Sequence, residues 1–104
     1  MNSCIKTRWL EALRSGTYEQ GQGCLRSQRE TYCPLGILCD IIDQSKWVAI
    51  ARSYYEHDGR TGRPSKETLT EAGLSLDDVA LIVQLSDRSK WTFEQVARWI
   101  EEKL

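Results

Sequence analysis

Histidine is nearly missing from this sequence, with His57 the single copy among 104 residues. That scarcity narrows the catalytic readings, because a Cys or Ser nucleophile usually takes its base from a neighbouring imidazole. Metal ligands are no better supplied: Cys4, Cys24, Cys33 and Cys39 follow neither zinc-knuckle nor CxxC spacing. No cofactor and no metal are expected. Long apolar runs are missing as well. No segment approaches the roughly 20 apolar residues of a membrane span, and the opening MNSCIKTRWLEALRSG has no secretory core. The expectation is a cytoplasmic protein without a membrane partner, its cysteines reduced. A basic excess is the third absence. The net charge is −1, where a duplex binder normally carries a clear positive balance, so general nucleic-acid binding is not expected. The charge is unevenly spread, however. Residues 1–66 hold ten Lys and Arg against seven Asp and Glu, a balance of +3, and residues 67–104 hold four against eight, a balance of −4. A local basic pocket for a small anion stays open.

What is plentiful is tryptophan, four in 104 residues, and each needs a packing partner, a ligand or an interface. Self-association into a homo-oligomer is expected on that ground. A composition 40% hydrophobic and 28% charged is globular rather than disordered, and the length suits one domain over 1–104.

The hydrophobic pattern predicts an α+β fold, about four helices packed on a small antiparallel sheet. Asn2 or Ser3 can cap a first helix whose inward face carries Ile5, Trp9, Ala12 and Leu13, with Gly16 as its left-handed stop. TYEQGQGCLRSQRETYC reads as a short hairpin or looped ribbon. Pro34 opens a short buried helix with Leu35, Leu38, Ile41 and Ile42 inside, despite Gly36. A strand is expected around Arg52 to Glu56, then a turn at DGRTGRP. Ser65 and Gly73 bracket another helix, Ser75 with Asp78 opens LDDVALIVQL, and Thr92 with Gln95 opens the last helix. Phe93, Val96, Ala97 and Ile100 form the stripe of that last helix.

Three blocks, RWLEALRSGTYEQGQGCLR, YCPLGILCD and LIVQLSDRSKWTFEQVARWIEEKL, cover about half the chain. In this order they resemble a family of small, functionally uncharacterised phage and prophage proteins. Its members run W-x-x-A-L-R-S-G-x-Y-x-Q-G-x-G-x-L, then C-x-L-G-x-L-C-D, and end on L-x-x-L-N-D before S-F-x-x-I-A-x-W-I-E. Three departures are visible. Ser86 stands where the family usually has asparagine, Trp91-Thr92 replaces Lys-Ser, and Pro34 stands where a second cysteine is common. The resemblance implies a setting, a phage accessory gene acting in an infected host cell, and no reaction.

The stretch TYEQGQGCLR has two readings. Gly21 and Gly23 permit close approach of backbone N–H groups to a phosphate, with Arg14 and Arg26 as paired donors, Tyr18 stacking on a base and Gln20 reading its edge. Alternatively, both glycines only supply positive-φ turn positions. Trp47 and the Tyr54-Tyr55 pair are candidates for a ligand wall or an interface, with core packing the competing reading for each. HDGRTGRPSK gathers His57, Arg60, Arg63 and Lys66 on one expected loop, a solvated turn or an anion contact. Asp87 either caps the final helix region, binds Arg14, or accepts a hydrogen bond from a ribose hydroxyl. Cys33 and Cys39, set among Leu and Ile, read as small core residues rather than nucleophiles.

Taken together these features favour a non-enzymatic phage anti-defence protein. It would sequester a small nucleotide-type immune signal, a cyclic dinucleotide or an ADP-ribose derivative, without turnover. The expected site is Arg14, Tyr18, Gln20, Gly21, Gly23, Arg26, Trp47, Tyr54 and Asp87. The alternative is a protein–protein inhibitor of a host defence enzyme, anchored by exposed aromatics. A signal-cleaving hydrolase has the least support, given one histidine and no suitably paired carboxylates.

Overall fold

A computed structural model covers residues 1–104, and its first element is helix α1, Ser3–Arg14. Asn2 caps it, its side chain accepting the Ile5 N–H at 2.9 Å, and Gly16 follows the helix at φ +75°. Ile5, Trp9 and Leu13 are buried, as their i, i+4, i+8 spacing requires. Trp9 also places its indole N–H, donating to the Pro34 carbonyl at 2.9 Å, so its burial leaves no polar atom unpaired.

Helix α2, Pro34–Ile42, is what α1 packs on, and every residue from Pro34 to Asp40 is buried. Cys33 caps it through its sulfur, which accepts the Gly36 N–H. A glycine in a helix ordinarily costs about 1 kcal/mol relative to alanine. At position 36 it is required, because a Cβ there would lie 1.8 Å from the carbonyl oxygen of Leu25. The ribbon after α1 therefore rests directly on the helix backbone.

That ribbon is not a hairpin. Strand β1, Glu19–Gln20, pairs in parallel with β2, Thr31–Tyr32, and Arg26 bridges back to Tyr32. Ten intervening residues loop between the two short strands, a length that the alternation of small and polar residues left open. A second ladder is an antiparallel hairpin of β3, Trp47–Ile50, and β4, Tyr54–His57, so the strand expected at Arg52 begins two residues later. Arg52 and Ser53 lie instead in its turn, entered through Ala51 at φ +53°. The single antiparallel sheet of the sequence reading is thus two separate two-stranded ladders, and the helices number five rather than about four. The α+β class stands.

Helix α3, Lys66–Ala72, is capped by Ser65 and stopped by Gly73 at φ +72°. Ser75 caps α4, Leu76–Val83, by accepting the Asp78 N–H at 3.1 Å. The chain then widens into a π-helical turn, Gln84–Arg88, in which Ser89 N–H reaches the Gln84 carbonyl. A full capping box, Thr92 with Gln95, opens α5, Phe93–Lys103, which buries Val96, Ala97 and Ile100 against α1. No helix is long and apolar enough to cross a membrane.

Gly36→Ala should destabilise the fold by about 3 kcal/mol, the upper range for forcing atoms into a packed core. Urea unfolding measures it. A loss under about 1 kcal/mol, the size of a simple propensity effect, would show that Leu25 does not press on α2.

Candidate functional site

The expected site residues do not converge on one surface. Tyr18, Arg26 and Trp47 join a packed cluster around Asp40, a residue only 7% exposed. Tyr18 donates its hydroxyl to Asp40 Oδ2 at 2.5 Å, Trp47 Nε1 donates to Oδ1 at 2.9 Å, and Gln44 donates to Oδ2 at 3.3 Å. Burial and the Asp40 charge push the Tyr18 phenol upward, and the same causes push Tyr32 up to about 12. Tyr18 therefore stays protonated at neutral pH, as a donor to a buried carboxylate must. Arg26 lies over the Tyr55 ring at 4.0 Å and over Tyr32 and Trp47 at 5.4 Å, while its guanidinium pairs with Glu30 at 2.6 Å. The aromatic faces are occupied by one another and by Arg26. No surface concavity is lined by Tyr18, Arg26, Trp47 or Tyr54. Tyr54 sits on β4, with its carbonyl near the Gln28 side-chain amide.

The glutamines of the Gly-rich stretch bind this chain's own backbone. Gln20 donates to the Trp91 carbonyl at 2.7 Å and accepts the Phe93 N–H at 3.2 Å, clamping the start of α5. Gln22 donates to the Ser86 carbonyl at 3.0 Å and accepts from Lys90 at 3.1 Å. Gly21 is a close-packing position rather than a positive-φ one, because a Cβ would lie 2.4 Å from Thr31 Oγ1. Gly23 is the true turn glycine, at φ +86°, and its N–H points at Asp87 Oδ1, 3.4 Å away. Arg14 does not pair with Asp87. It pairs with Glu94 and Glu101 of α5, both at 3.1 Å, in an exposed arrangement that solvent screens. His57 is not a loop residue either. It is fully buried on β4, with Nε2 hydrogen-bonded to the Asp43 carbonyl at 2.8 Å and its ring against Trp47.

Asp87 does stand at the edge of open space. A groove of about 540 Å³ runs between α4 and the loop that carries Gly62 and Arg63. Val79, Ala80 and Val83 form its apolar floor, and Gln84, Asp87 and Arg88 close its end. The guanidinium groups of Arg63 and Arg88 make no hydrogen bond or ion pair with this chain. A narrow crevice lined by Gly23, Cys24, Cys33 and Ser86 shares Gly62, Val83 and Asp87 with the groove. In it the Ser86 hydroxyl, on a residue 1% exposed, has no hydrogen-bond partner. Two unpaired guanidinium groups, one carboxylate and an apolar floor can hold a small anion with a hydroxylated, partly apolar body.

Arg88 and Gln84 are the site residues that sequence reasoning passed over, and Arg63 was weighed only within its charged run. No local signal marked Arg88: it adjoins Asp87 in sequence, and the π-helical segment that carries both lines the groove.

Over its full length, residues 1–104, the chain matches the family described as a domain of unknown function, DUF8296, and it belongs to that family. No curated protein and no solved structure matches it.

Gln20→Ala should destabilise the protein by about 2 kcal/mol, roughly 1 kcal/mol for each lost hydrogen bond, without touching the α4 groove. Equilibrium unfolding tests this, and an unchanged midpoint would return Gln20 to the list of free side chains. Thiol alkylation makes a second test. Burial pushes Cys33 up to about 12 and raises Cys39 and Cys24 as well, whereas Cys4 is exposed. At pH 8 a thiol of that kind is ionised to about one part in ten thousand, so Cys4 should react first, and Cys33 and Cys39 only on unfolding. Rapid labelling of Cys33 in the folded protein would contradict the packing of α2.

Proposed function

We propose that the protein is a phage anti-defence factor that binds a nucleotide-type immune signal and sequesters it intact, in the α4 groove rather than on the Gly-rich ribbon. It would act in the cytoplasm of the infected cell. The observation that carries this reading is the pairing state of the groove. Arg63 and Arg88 are free of internal partners, and Asp87 holds only one long contact, to Gly23 N–H. Free guanidinium groups suit phosphate oxygens, and a free carboxylate suits ribose hydroxyls. The apolar floor of Val79, Ala80 and Val83 suits a base. Turnover is disfavoured because the single imidazole is buried away from the groove and the Cys33 thiol beside it is held protonated. The phage setting rests on the sequence resemblance.

The four tryptophans no longer argue for a homo-oligomer by themselves, since Trp9 is core and Trp47, Trp91 and Trp99 pack partly buried against it. A specific observation does favour the second reading, a protein–protein inhibitor. Leu76 and Leu81 of α4 are 63% and 46% exposed.

Thermal unfolding against cyclic dinucleotides and ADP-ribose derivatives tests the proposal. A ligand at a hundred times its dissociation constant adds about 2.7 kcal/mol, and each kcal/mol moves the midpoint of a domain this size by roughly 4–8 °C. The shift should be large, should vanish in Asp87→Asn and Arg88→Gln, and should survive in Arg14→Gln. The ligand should be recovered unchanged. No shift across the panel, together with a stable complex between the protein and a host enzyme that Leu76→Asp or Leu81→Asp breaks, would favour the inhibitor.

A further inference from the structure

Arg63 lines two grooves. The second, of about 630 Å³, is walled by Arg60, Arg63 and Lys66 on its polar side and by Leu69, Leu74 and Leu76 on its apolar side. No acidic side chain lines it. The neighbouring carboxylates are engaged or turned elsewhere. Asp58 accepts from Ser65 at 2.6 Å and faces Lys46 at 3.8 Å, and those contacts hold its carboxyl below the usual range. Glu67 and Glu71 line an adjoining depression that shares Lys66 and Thr70 with this groove, and neither pairs with Lys66. Arg60, Arg63 and Lys66 make no hydrogen bond or ion pair through their side chains. Three cations without ion-pair partners thus line one groove of a chain whose net charge is −1.

The backbone under these cations is fixed at several points. His57 and Arg60 exchange both of their backbone hydrogen bonds, at 2.7 and 3.1 Å. The Thr61 carbonyl accepts the Leu25 N–H at 2.8 Å, Pro64 is buried, and Ser65 caps α3. Like charges held together on an ordered backbone repel, and a bound polyanion removes that repulsion at little cost in ordering.

We propose that this second groove is the phosphate subsite of the same ligand. Arg63 bridges the two halves: the nucleoside portion lies in the α4 groove, and a diphosphate or paired phosphodiester portion lies against Arg60 and Lys66. The inference rests on the nucleotide reading above and narrows the ligand class. A nucleoside or a monophosphate leaves the Arg60–Lys66 wall unused, whereas a nucleotide with two phosphate groups engages both grooves.

Two-dimensional amide NMR with inorganic pyrophosphate as the probe, at constant ionic strength, tests it. Pyrophosphate should move the amides of residues 60–66 before those of other basic segments. Arg60→Gln combined with Lys66→Gln should weaken it at least about tenfold, the equivalent of ~1.4 kcal/mol, while Arg14→Gln, remote from both grooves, leaves it unchanged. Both substituted side chains are exposed and unpaired, so the variants should fold. The same double variant should weaken any dinucleotide found in the thermal panel and leave a nucleoside's weaker response unaltered. Shifts spread evenly over all Lys and Arg residues would overturn the subsite. So would dinucleotide binding that the double variant leaves intact, which would spare the α4 groove reading. Pyrophosphate binding at residues 60–66 with no nucleotide response at Asp87 or Arg88 would overturn the shared-ligand proposal together with the nucleotide reading. Affinity that climbs steadily with oligonucleotide length would overturn it in favour of strand binding.

Discussion

Leu25 lies flat on the first turn of α2 because residue 36 has no side chain, and the rest of the structure is hung on that contact. The Leu25 carbonyl meets the helix at Gly36 and also accepts the Cys33 N–H at 3.2 Å. Its own N–H reaches the Thr61 carbonyl at 2.8 Å, and its side chain is fully buried. One residue thereby fixes the depth of the ribbon, the N-terminus of α2 and the loop that carries Gly62 and Arg63. Two residues earlier, Gly23 turns at positive φ and presents its N–H to Asp87. The groove between that loop and α4 follows from these constraints, since its two walls are held by neighbouring backbone groups of one ribbon.

The second organising element is the set of buried polar groups that are satisfied internally. A carboxyl group buried without partners is costly, and three donors from Tyr18, Trp47 and Gln44 offset that cost at Asp40. Gln20 and Gln22 do the same for backbone groups between Ser86 and Phe93. These residue types also bind nucleotides, which is why the sequence suggested them as ligand contacts. Whether a Tyr or Gln faces a ligand or a neighbouring strand depends on long-range placement: Gln20 and Trp91 are 71 positions apart.

Local signals were legible where local physics decides. Asn2, Ser65, Ser75 and Thr92 all cap the helices their positions announced, and Gly16 and Gly73 lie in the left-handed region just past helix ends. The parallel pairing of Glu19–Gln20 with Thr31–Tyr32 was not legible, because short strands joined by a loop carry the same alternation as a hairpin. Gly36 read as an anomaly in a helical pattern and proved to be a contact point. The site was legible only in pieces. Asp87 was chosen as a neighbour of a ligand and does line the groove, Gly23 lines only the narrow crevice next to it, and Arg14 spends its charge on Glu94 and Glu101. Arg88 escaped notice because a π-helical turn, which aims it beside Asp87, has no sequence signature of its own.

The most direct test of the groove as a ligand site is to identify what it carries out of a cell. The protein should be purified from bacteria in which a nucleotide-signalling defence is active, then heated, and the released small molecules identified by mass spectrometry. The account predicts an intact nucleotide bearing two phosphate groups, released in near-equal amount to the protein and missing from Arg63→Gln prepared in the same way. Release of nothing beyond what Arg63→Gln releases would contradict it.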